Sequence, residues 1–402
     1  MPHLIVSVTV VLLSICLSTT ATITAQAGDE FLTIPELIAK YGYPIEEHQV
    51  ATPDGYLLTM HRIPHGKRRY RASKRVAFLM HGLFCSSACW IISGVDHALG
   101  YLLADQGYDV WMGNNRGNTY SLDHAIYSHH DREFWEYSWH EIGTIDVPSM
   151  IDYILEKTGQ ESLYYIGHSQ GTTVFYVMTS IRPEYNSKIT AEFSLSPVIY
   201  MDHIGPVSRG LALITPILKK LSELGNVKQL LPRSRLLYYI GRFLCGPRSF
   251  THHLCIETYF MDVGKNWPEL NTTFMPIFLG HFPDGASIKQ FFHFSQVTNT
   301  GHFQAYDWGL DNNIFKYGSL EPPKYNLEAV RSPSYLFYSN NDLQANPMDV
   351  MRLCKELKNS CKGEILVANG TYNHADYLFG INAPKLVHTK LMKLMALFDA
   401  SM

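Results

Sequence analysis

Short apolar runs alternate with stretches of helical periodicity near both ends of the chain. Apolar and aromatic runs that are bounded by polar turns predict buried strands. The strands predicted in this way are Val76–Met80, Tyr108–Met112, Leu163–Ile166, Ser334–Tyr338 and Glu364–Val367. The predicted helices are Thr172–Met178, Met348–Leu357 and a C-terminal helix marked by the apolar positions Val387, Leu391, Leu394, Met395 and Phe398. This alternation predicts an α/β fold with a mostly parallel sheet that carries helices on both faces.

The middle of the chain has a different pattern. Residues 201–324 are helical, aromatic and loop-rich, and Leu236–Ile240 and Phe291–Phe294 are more apolar than a loop requires. We therefore expect a core of residues 28–200 and 325–402 and an inserted, mainly helical domain of residues 201–324. The simplest interpretation of the two apolar runs is that they form the core of the inserted domain.

The N-terminus has the composition of a targeting segment. An apolar run from Leu4 to Leu17 is followed by small residues and by Ala25-Gln26-Ala27, an A-x-A cleavage site. The run is too short to span a membrane, and no second run of about 20 apolar residues follows. Residues 1–27 are therefore predicted to be a secretory signal peptide, with no transmembrane anchor.

Length and charge narrow the class of protein. The chain has 402 residues, of which 46% are hydrophobic, so it can bury a large core and an additional module. The formal net charge is −3 and the isoelectric point is about 6.7, with no long charge runs. These values give no support for nucleic-acid binding.

A G-x-S-x-G motif, Gly167-His168-Ser169-Gln170-Gly171, lies between a predicted strand and a predicted helix. Glycines at both ends permit a sharp strand-to-helix turn, because larger side chains there would clash with neighbouring backbone. Such a turn exposes the serine Oγ above the sheet and directs amides of the helix N-terminus at a developing oxyanion. A chain of this length can contain such a motif by chance. Between a predicted strand and a predicted helix, however, the motif predicts Ser169 as a nucleophile.

A serine nucleophile needs a base and a carboxylate that orients the base. In α/β-hydrolases the chain order is serine, acid, histidine. Asp342 follows one late predicted strand and His374 follows the next, so the order predicts a Ser169–Asp342–His374 triad. The nearest rivals for the acid are Asp349, which has the position of a helix N-terminal carboxylate, and Asp376, which is too close to His374 in sequence to face its ring easily.

The oxyanion hole needs a second amide from an early loop. His81-Gly82-Leu83-Phe84 follows the predicted strand Val76–Met80, and a glycine there lets the next N–H point into the site. The predicted donors are the backbone amides of Leu83 and Gln170. The imidazole of His81 is interpreted as a structural group that holds the loop.

Ten segments along the chain share their order and sequence with one family. They are Tyr41–His48, Asp54–Leu58, His81–Phe84, Ser86–Ser87, Asn114–Ser121, Phe134–Ser138, Asp146–Pro148, Gly167–Thr172, Phe303–Gly309 and Asn373–Tyr377. In these segments the chain resembles the acid lipases, which include lysosomal and gastric lipases and their insect relatives. The resemblance covers nearly the whole mature chain. It implies an α/β-hydrolase fold with a cap and a movable lid over the site.

Three positions depart from the family pattern. The family usually has a glycine before the Asn-Asp pair and a tryptophan after it, whereas this chain has Asn340-Asn341-Asp342-Leu343. The acid itself is retained, so only the local wall of the site is expected to differ. Cys89 stands where the family generally has another residue.

The secretory route implies an oxidising compartment. Of seven cysteines, Cys16 lies in the predicted signal peptide, which leaves six. Cys245 with Cys255, and Cys354 with Cys361, are close enough for short-loop disulfides, while Cys85 with Cys89 follows only by elimination. Free buried thiols are the alternative. Asn271-Thr272-Thr273 and Asn369-Gly370-Thr371 are candidate glycosylation sites.

These observations predict a secreted or lysosomal serine lipase that hydrolyses fatty-acyl esters, triacylglycerol or sterol ester, at a lipid–water interface. The chemistry needs no metal or organic cofactor. The first alternative is a carboxylesterase that prefers short or bulky esters. The second alternative, a noncatalytic secreted lipid carrier, leaves an intact Ser169, Asp342 and His374 without a purpose.

Overall fold

The computed structural model describes residues 28–67 and 75–400, so the predicted signal peptide lies outside the described residues. The elements up to the end of the first core segment are α1 (Ile34–Lys40), β1 (Glu46–Ala51), β2 (Tyr56–Ile63), β3 (Val76–Met80), α2 (Leu99–Asp105), β4 (Asp109–Met112), β5 (Asp123–His124), α3 (Val147–Thr158), β6 (Leu163–His168), α4 (Gln170–Ile181) and β7 (Ile189–Leu195). A short turn of helix at Trp139–Glu141 and a π turn at Ile142–Asp146 lead directly into α3.

The chain then forms a mainly helical segment and returns to the sheet. The elements of this second half are α5 (Pro206–Leu213), α6 (Thr215–Leu224), β8 (Gln229–Leu230), α7 (Arg235–Cys245), α8 (His252–Val263), α9 (Met275–His281), β9 (Ala286–Ser287), α10 (Ile288–Thr300), α11 (Leu310–Tyr317), β10 (Ser334–Tyr338), α12 (Pro347–Leu357), β11 (Cys361–Leu366), α13 (Asp376–Phe379) and α14 (Thr389–Ala400). The strands and helices predicted from the sequence all recur here, with ends that differ by a few residues.

Among the described residues, nine strands form one sheet in the order β1-β2-β4-β3-β6-β7-β10-β11, with β5 paired to β2. The six adjacent strands β4, β3, β6, β7, β10 and β11 pair in parallel. The strands β1 and β2 are antiparallel to their neighbours. The prediction of a mostly parallel sheet is therefore confirmed. Because β7 pairs directly with β10, the segment between them lies outside the sheet.

Both faces of the sheet are covered, which explains why its central strands β3, β4 and β6 are buried at every position. Successive residues of a strand point to opposite faces. On β3, Phe78 joins one hydrophobic cluster and Leu79 joins the other, and both are fully buried. The C-terminal stripe lies in the second cluster: Val387, Leu391 and Met395 are fully buried there.

The apolar runs between β7 and β10 have two different environments. Phe292 is buried, as expected for the core of this segment. On α7, by contrast, Leu236, Tyr239 and Phe243 expose 69%, 57% and 78% of their surface, and only Tyr238 is buried. The expectation that both runs form an internal core is therefore wrong for α7, because this helix packs by one side while its other apolar side faces solvent.

Within residues 28–67 and 75–400, every helix is too short or too polar to cross a lipid bilayer. Disulfides join Cys85 to Cys89, Cys245 to Cys255 and Cys354 to Cys361. The structure thus contains all three of the pairs considered from the sequence.

Candidate active site

Ser169 occupies the turn between the end of β6 and the start of α4. Its backbone has φ 53° and ψ −122°, a conformation that L-residues rarely adopt. The turn is possible because Gly167 and Gly171 approach each other closely: a Cβ on Gly167 would lie 2.8 Å from the carbonyl carbon of Gly171. A Cβ on Gly171 would lie 2.1 Å from the carbonyl oxygen of Met80 on β3. The two glycines of the motif are therefore required by the backbone.

The structure brings Ser169, His374 and Asp342 together at the carboxyl ends of β6, β11 and β10. The Oγ of Ser169 lies 2.8 Å from Nε2 of His374. The Nδ1 of His374 lies 3.1 Å from Oδ1 and 3.3 Å from Oδ2 of Asp342. The carboxylate is fully buried, whereas the imidazole side chain is 12% exposed. This geometry allows proton transfer from the hydroxyl to the ring.

The carboxylate of Asp342 is held by its own loop. Its Oδ1 accepts the backbone N–H groups of Gln344 at 3.0 Å and Ala345 at 2.9 Å. Its Oδ2 accepts the hydroxyl of Ser196, which lies 2.5 Å away. Ser196 was not predicted from the sequence, and it is also 2.6 Å from Nδ1 of His374.

The rival carboxylates are used elsewhere. Asp349 lies in the first turn of α12, as expected. Its carboxylate contacts Nδ1 of His203 at 2.8 Å and accepts the backbone N–H of His203 at 2.9 Å. Asp376 accepts the Nδ2–H of Asn266 at 2.6 Å and the backbone N–H of Asn373 at 2.8 Å. Burial raises the pKa of Asp376 to about 7, against the effect of these hydrogen bonds. Neither of the two carboxylates is hydrogen-bonded to the ring of His374.

The loop after β3 packs directly on the nucleophile. A Cβ on Gly82 would lie 2.9 Å from the Cβ of Ser169, so only glycine permits this approach. Leu83 lines the same cleft as Ser169, and the disulfide between Cys85 and Cys89 closes the loop a few residues later. The loop therefore lies directly beside Ser169, at the edge of the cleft.

His81 holds this loop through both ring nitrogens. Its Nδ1 lies 2.8 Å from the carbonyl oxygen of Gly82, and its Nε2 accepts the backbone N–H of Asn115 at 3.1 Å. These partners place the proton on Nδ1. Burial lowers the pKa of His81 to about 4, so the ring stays neutral in this role. The structural role predicted for His81 agrees with these contacts.

Part of the Asn114–Ser121 block forms the layer behind the loop. Asn114 Oδ1 accepts the backbone N–H of Ser87 at 2.9 Å. Arg116 is fully buried and forms ion pairs with Asp146 and, at 2.7 Å, with Asp54. The block thus supports the site from behind and does not enter the cleft.

The residues on either side of Ser169 connect the turn to other parts of the molecule. The Nε2 of His168 lies 2.8 Å from the carbonyl oxygen of His374 and donates to it. Burial, followed by the neighbouring His374, lowers the pKa of His168 to about 3, so its ring is neutral. The side chain of Gln170 donates to Oε1 of Gln290 on α10 at 2.7 Å.

The end of α8 contacts both loops that carry the acid and the histidine. The carbonyl oxygen of Val263 accepts the backbone N–H of His374 at 3.0 Å and that of Leu343 at 3.5 Å. The side chain of Asn341 donates to the carbonyl oxygens of Lys265 at 3.0 Å and Thr371 at 2.8 Å. The end of α8 therefore forms the wall of the site beside Asn340–Leu343, where the sequence departs from the family pattern.

A largely apolar cleft of about 320 Å³ opens above Ser169. Its walls come from α5, α8, α9 and α10 and from the loop after β3. The apolar residues that line it include Val198, Met201, Ile204, Leu211, Val263, Phe278, Phe291, Phe294 and Phe379. Such a cleft accommodates an extended apolar chain next to the hydroxyl of Ser169.

The two predicted glycosylation residues are exposed. The Oδ1 of Asn271 accepts from the backbone N–H and hydroxyl of Thr273 at 3.1 and 2.7 Å. Asn369 is exposed near the histidine loop, with φ 53°. Modification of both residues remains a prediction. Among the described residues, no group of three or more His, Cys, Asp or Glu side chains is arranged to hold a metal ion.

Two family models match the first half of the chain. A partial alpha/beta-hydrolase lipase region matches residues 34–94, and an alpha/beta hydrolase fold matches residues 78–206, which include Ser169. A crystal structure from Sulfolobus solfataricus has a TM-score of 0.54 at 14% identity, covering 87% of this chain and 99% of that chain. This likeness concerns the fold alone, and it agrees with the alpha/beta hydrolase fold that the second family model describes.

Curated relatives match over nearly the full length. Lipase 1 of Drosophila melanogaster is 41% identical over 374 residues, which cover 91% of this chain and 80% of the relative. Gastric triacylglycerol lipase of Rattus norvegicus is 36% identical and covers 91% and 92% of the two chains. Lysosomal acid lipase/cholesteryl ester hydrolase of Macaca fascicularis is 35% identical and covers 93% of both chains.

The chain therefore belongs to the acid lipase family, and the resemblance seen in its motifs is confirmed. It is a lipase, a carboxylic ester hydrolase on the α/β-hydrolase fold.

Proposed function

We propose that this lipase hydrolyses long-chain fatty-acyl esters, triacylglycerol or sterol ester, through a Ser169–His374–Asp342 triad and an acyl-enzyme. The observation that carries the proposal is the 2.8 Å contact between Ser169 Oγ and His374 Nε2 at the floor of an apolar cleft. A hydroxyl in contact with an oriented imidazole is the arrangement that activates a serine.

In the first half of the reaction, Ser169 Oγ attacks the ester carbonyl carbon while His374 Nε2 takes the hydroxyl proton. Asp342 stays ionised and stabilises the imidazolium that forms. The imidazolium then protonates the alcohol oxygen as the bond from the acyl carbon to that oxygen breaks. The acyl group remains on Ser169.

In the second half, a water molecule gives its proton to His374 and attacks the acyl carbon. The ring returns this proton to Ser169 Oγ as the fatty acid leaves. The backbone N–H groups of Leu83 and Gln170 bind the oxyanion in both halves. Loss of one such donor in a comparable site costs about 2.7–4 kcal/mol of transition-state stabilisation.

The substrate class follows from the cleft and from the surface beside it. The cleft is apolar and bounded by phenylalanine side chains from α9 and α10, which favours an acyl chain over a polar acid. Helices that line the cleft, or adjoin those that do, also expose large apolar side chains. We call this set the exposed apolar surface: Leu213, Ile217, Leu221 and Leu224 of α5 and α6, and Leu236, Tyr239, Ile240, Phe243, Phe250 and Leu254 of α7, α8 and their connection.

An exposed apolar surface of this extent favours contact with a lipid aggregate. We infer that it binds the lipid–water interface while the cleft receives one ester from it. We also infer that residues 201–324 act as a cap on a core of residues 28–200 and 325–402, and that 228–265 include its movable lid. In this arrangement α8 is the hinge side of the lid, because its end binds the loops of His374 and Asp342.

We expect the protein to enter the secretory route and to reach either the outside of the cell or the lysosome. The names of the gastric and lysosomal relatives agree with such a location. The three disulfides agree with an oxidising compartment. Exposure of Asn271 and Asn369 leaves both open to glycan attachment.

A short-chain carboxylesterase remains the alternative among enzymes. The exposed apolar surface favours the lipase, because an esterase for soluble substrates gains nothing from it. A noncatalytic lipid carrier would use the cleft but not the contact between Ser169 and His374.

The test is hydrolysis of emulsified triolein, cholesteryl oleate and a soluble butyrate ester by the purified protein, together with labelling by a fluorophosphonate. We expect Ser169→Ala to abolish hydrolysis and labelling while the fold is retained. Ser180→Ala is the matched control, since Ser180 lies on the same α4 and its hydroxyl bonds only the carbonyl of Val177. Labelling without any hydrolysis of the long-chain esters would favour the esterase, and labelling of Ser169→Ala would contradict the nucleophile.

A further inference from the structure

We propose that Ser196 is a positioning residue that fixes the orientation and proton arrangement of the His374 ring. The inference rests on the proposed function, because it assigns a role toward the imidazole of the proposed triad. Ser196 does not touch the substrate cleft, so its action is exerted through His374 and Asp342.

Ser196 follows the last residue of β7 and is fully buried. Its backbone N–H donates to the carbonyl oxygen of Phe337 on β10 at 3.0 Å. This bond ties the end of β7 to the strand that leads to Asp342. The side chain is thereby held between the acid and the histidine.

The hydroxyl is closer to both partners than they are to each other. Ser196 Oγ lies 2.6 Å from His374 Nδ1 and 2.5 Å from Asp342 Oδ2. The direct distances from His374 Nδ1 to the carboxylate oxygens of Asp342 are 3.1 and 3.3 Å. The hydroxyl is therefore the nearest acceptor for the proton on Nδ1.

Counting donors and acceptors assigns the protons. An ionised Asp342 can only accept, so the short contact to its Oδ2 must use the hydroxyl proton of Ser196. The hydroxyl oxygen can then only accept from Nδ1 of His374, which places the ring proton on Nδ1. The lone pair of Nε2 is left facing Ser169, and this is the tautomer that a general base requires.

The contribution of Ser196 grows as the reaction proceeds. In the ground state the Nδ1–H of a neutral ring donates to Oγ, whereas in the transition state the donor is an imidazolium. Hydrogen bonds from a charged donor are roughly twice as strong as those between neutral groups. An interaction that strengthens in the transition state raises kcat and leaves KM nearly unchanged.

The backbone at Ser196 supplies a sharp test. Its φ is 56°, in the left-handed region that favours glycine. Ser196→Gly therefore removes the hydroxyl while relaxing the backbone, so a loss of activity in this variant cannot be attributed to backbone strain. Ser196→Ala removes the same hydroxyl and keeps the backbone strain.

Steady-state kinetics on a soluble butyrate ester and the thermal midpoint Tm are measured for both variants. We expect kcat to fall about ten- to a hundredfold, the loss of one hydrogen bond to a charged group, with KM within about twofold. The Tm of Ser196→Gly should lie above that of Ser196→Ala, because both variants lose the same hydroxyl but only glycine relieves the positive φ. Retention of kcat in Ser196→Gly overturns the proposal, as does a lowered kcat that is accompanied by a matching rise in KM.

Ser194→Ala is the matched control. Ser194 lies two residues earlier on β7, is equally buried, and bonds Glu192 and Tyr176 instead of the triad. We expect its Tm to fall and its kcat to stay. Ser169→Ala distinguishes failure of the proposed triad from failure of the proposed role of Ser196. Activity in Ser169→Ala refutes the triad. An inactive Ser169→Ala together with a fully active Ser196→Gly refutes only the role of Ser196.

Discussion

Gln170 and Gln290 are joined by a hydrogen bond of 2.7 Å from Nε2 of the first to Oε1 of the second. Gln170 is the residue after the proposed nucleophile, and Gln290 lies on α10, 120 residues later in the chain. Both side chains are buried. This single contact links the elbow of the core to the segment that builds the walls of the cleft.

Replacing either glutamine should lower the free energy of unfolding, and the losses from the two single replacements should not add up in the double variant. We expect Gln290→Leu to lower the free energy of unfolding by about 1–3 kcal/mol, because Nε2 of Gln170 is then left buried without an acceptor. The double variant Gln170→Leu/Gln290→Leu should lose less than the sum of the single changes. Denaturant unfolding of the four proteins measures this coupling, and additive losses would contradict it.

The exposed apolar surface should matter only for aggregated substrate. Burial of one large apolar side chain at an interface is worth about 1.5–3 kcal/mol, so Phe243→Asp should lower the rate on emulsified triolein by about tenfold or more. The rate on a soluble butyrate ester should not change, because Phe243 is 78% exposed and does not line the cleft.

Leu397→Asp is the control for this surface. Leu397 is 68% exposed on α14, which belongs to the other end of the chain and does not line the cleft. We expect it to retain both rates. Equal losses of Phe243→Asp on both substrates would indicate a structural role for α7 instead of contact with lipid.

The disulfide between Cys85 and Cys89 should affect catalysis as well as stability. It closes the loop that presents Leu83, and misplacement of an oxyanion donor by a fraction of an ångström to 1 Å lowers kcat by about tenfold or more. Cys354–Cys361 closes a loop of similar length at α12 and β11, away from the cleft. Removing either pair as Ser/Ser should cost about 2 kcal/mol of stability. Only the Cys85→Ser/Cys89→Ser variant should lose kcat on a soluble ester.

Glu192 should make the protein less stable as pH rises. It is fully buried on β7, where burial raises its pKa to about 8 against the hydrogen bonds from Ser194 and Tyr176. An unfolded glutamate has a pKa of about 4.3. Between these two values the folded state holds a proton that the unfolded state has released, so the free energy of unfolding falls as pH increases across this window.

Glu192→Gln removes this titration while keeping the shape of the side chain. We expect the Tm of the variant relative to the unmodified protein to rise from pH 5 to pH 8. Glu156→Gln, at an exposed position on α3, should leave the pH dependence as it is. A parallel pH dependence of Glu192→Gln and the unmodified protein would mean that Glu192 is ionised in the folded state.

Local sequence was enough to predict the turn at Ser169 and to single out the three residues of the proposed triad, which the structure brings together. The glycines around Ser169 are dictated by backbone contacts within a few residues, and Asp342 and His374 are marked by the strands before them. Ser196 could not be found in this way, because its role depends on the pairing of β7 with β10. Its only local signal is a polar residue at the end of a buried strand, which many strands share.

The middle of the chain was the least predictable part. Apolar periodicity in Leu236–Ile240 correctly indicates a helix with an apolar side, but it does not say what covers that side. The structure leaves it facing solvent, because α7 packs against the neighbouring helices through its other side, which carries Tyr238 and Gly241. The contact of Gln170 with Gln290 likewise depends on how this segment folds back over the core.

The position of α5–α11 between β7 and β10 has a consequence for biosynthesis. Ser169, its strand β6 and the two strands beside it, β3 and β7, are translated before this segment. Asp342 and His374 are translated after it. A nascent chain therefore carries the proposed nucleophile for about half of its synthesis without the proposed base. The proposed site is therefore complete only after β10 and β11, the last strands of the chain, have joined the sheet. A chain that ends before β11 contains the turn at Ser169 but lacks His374.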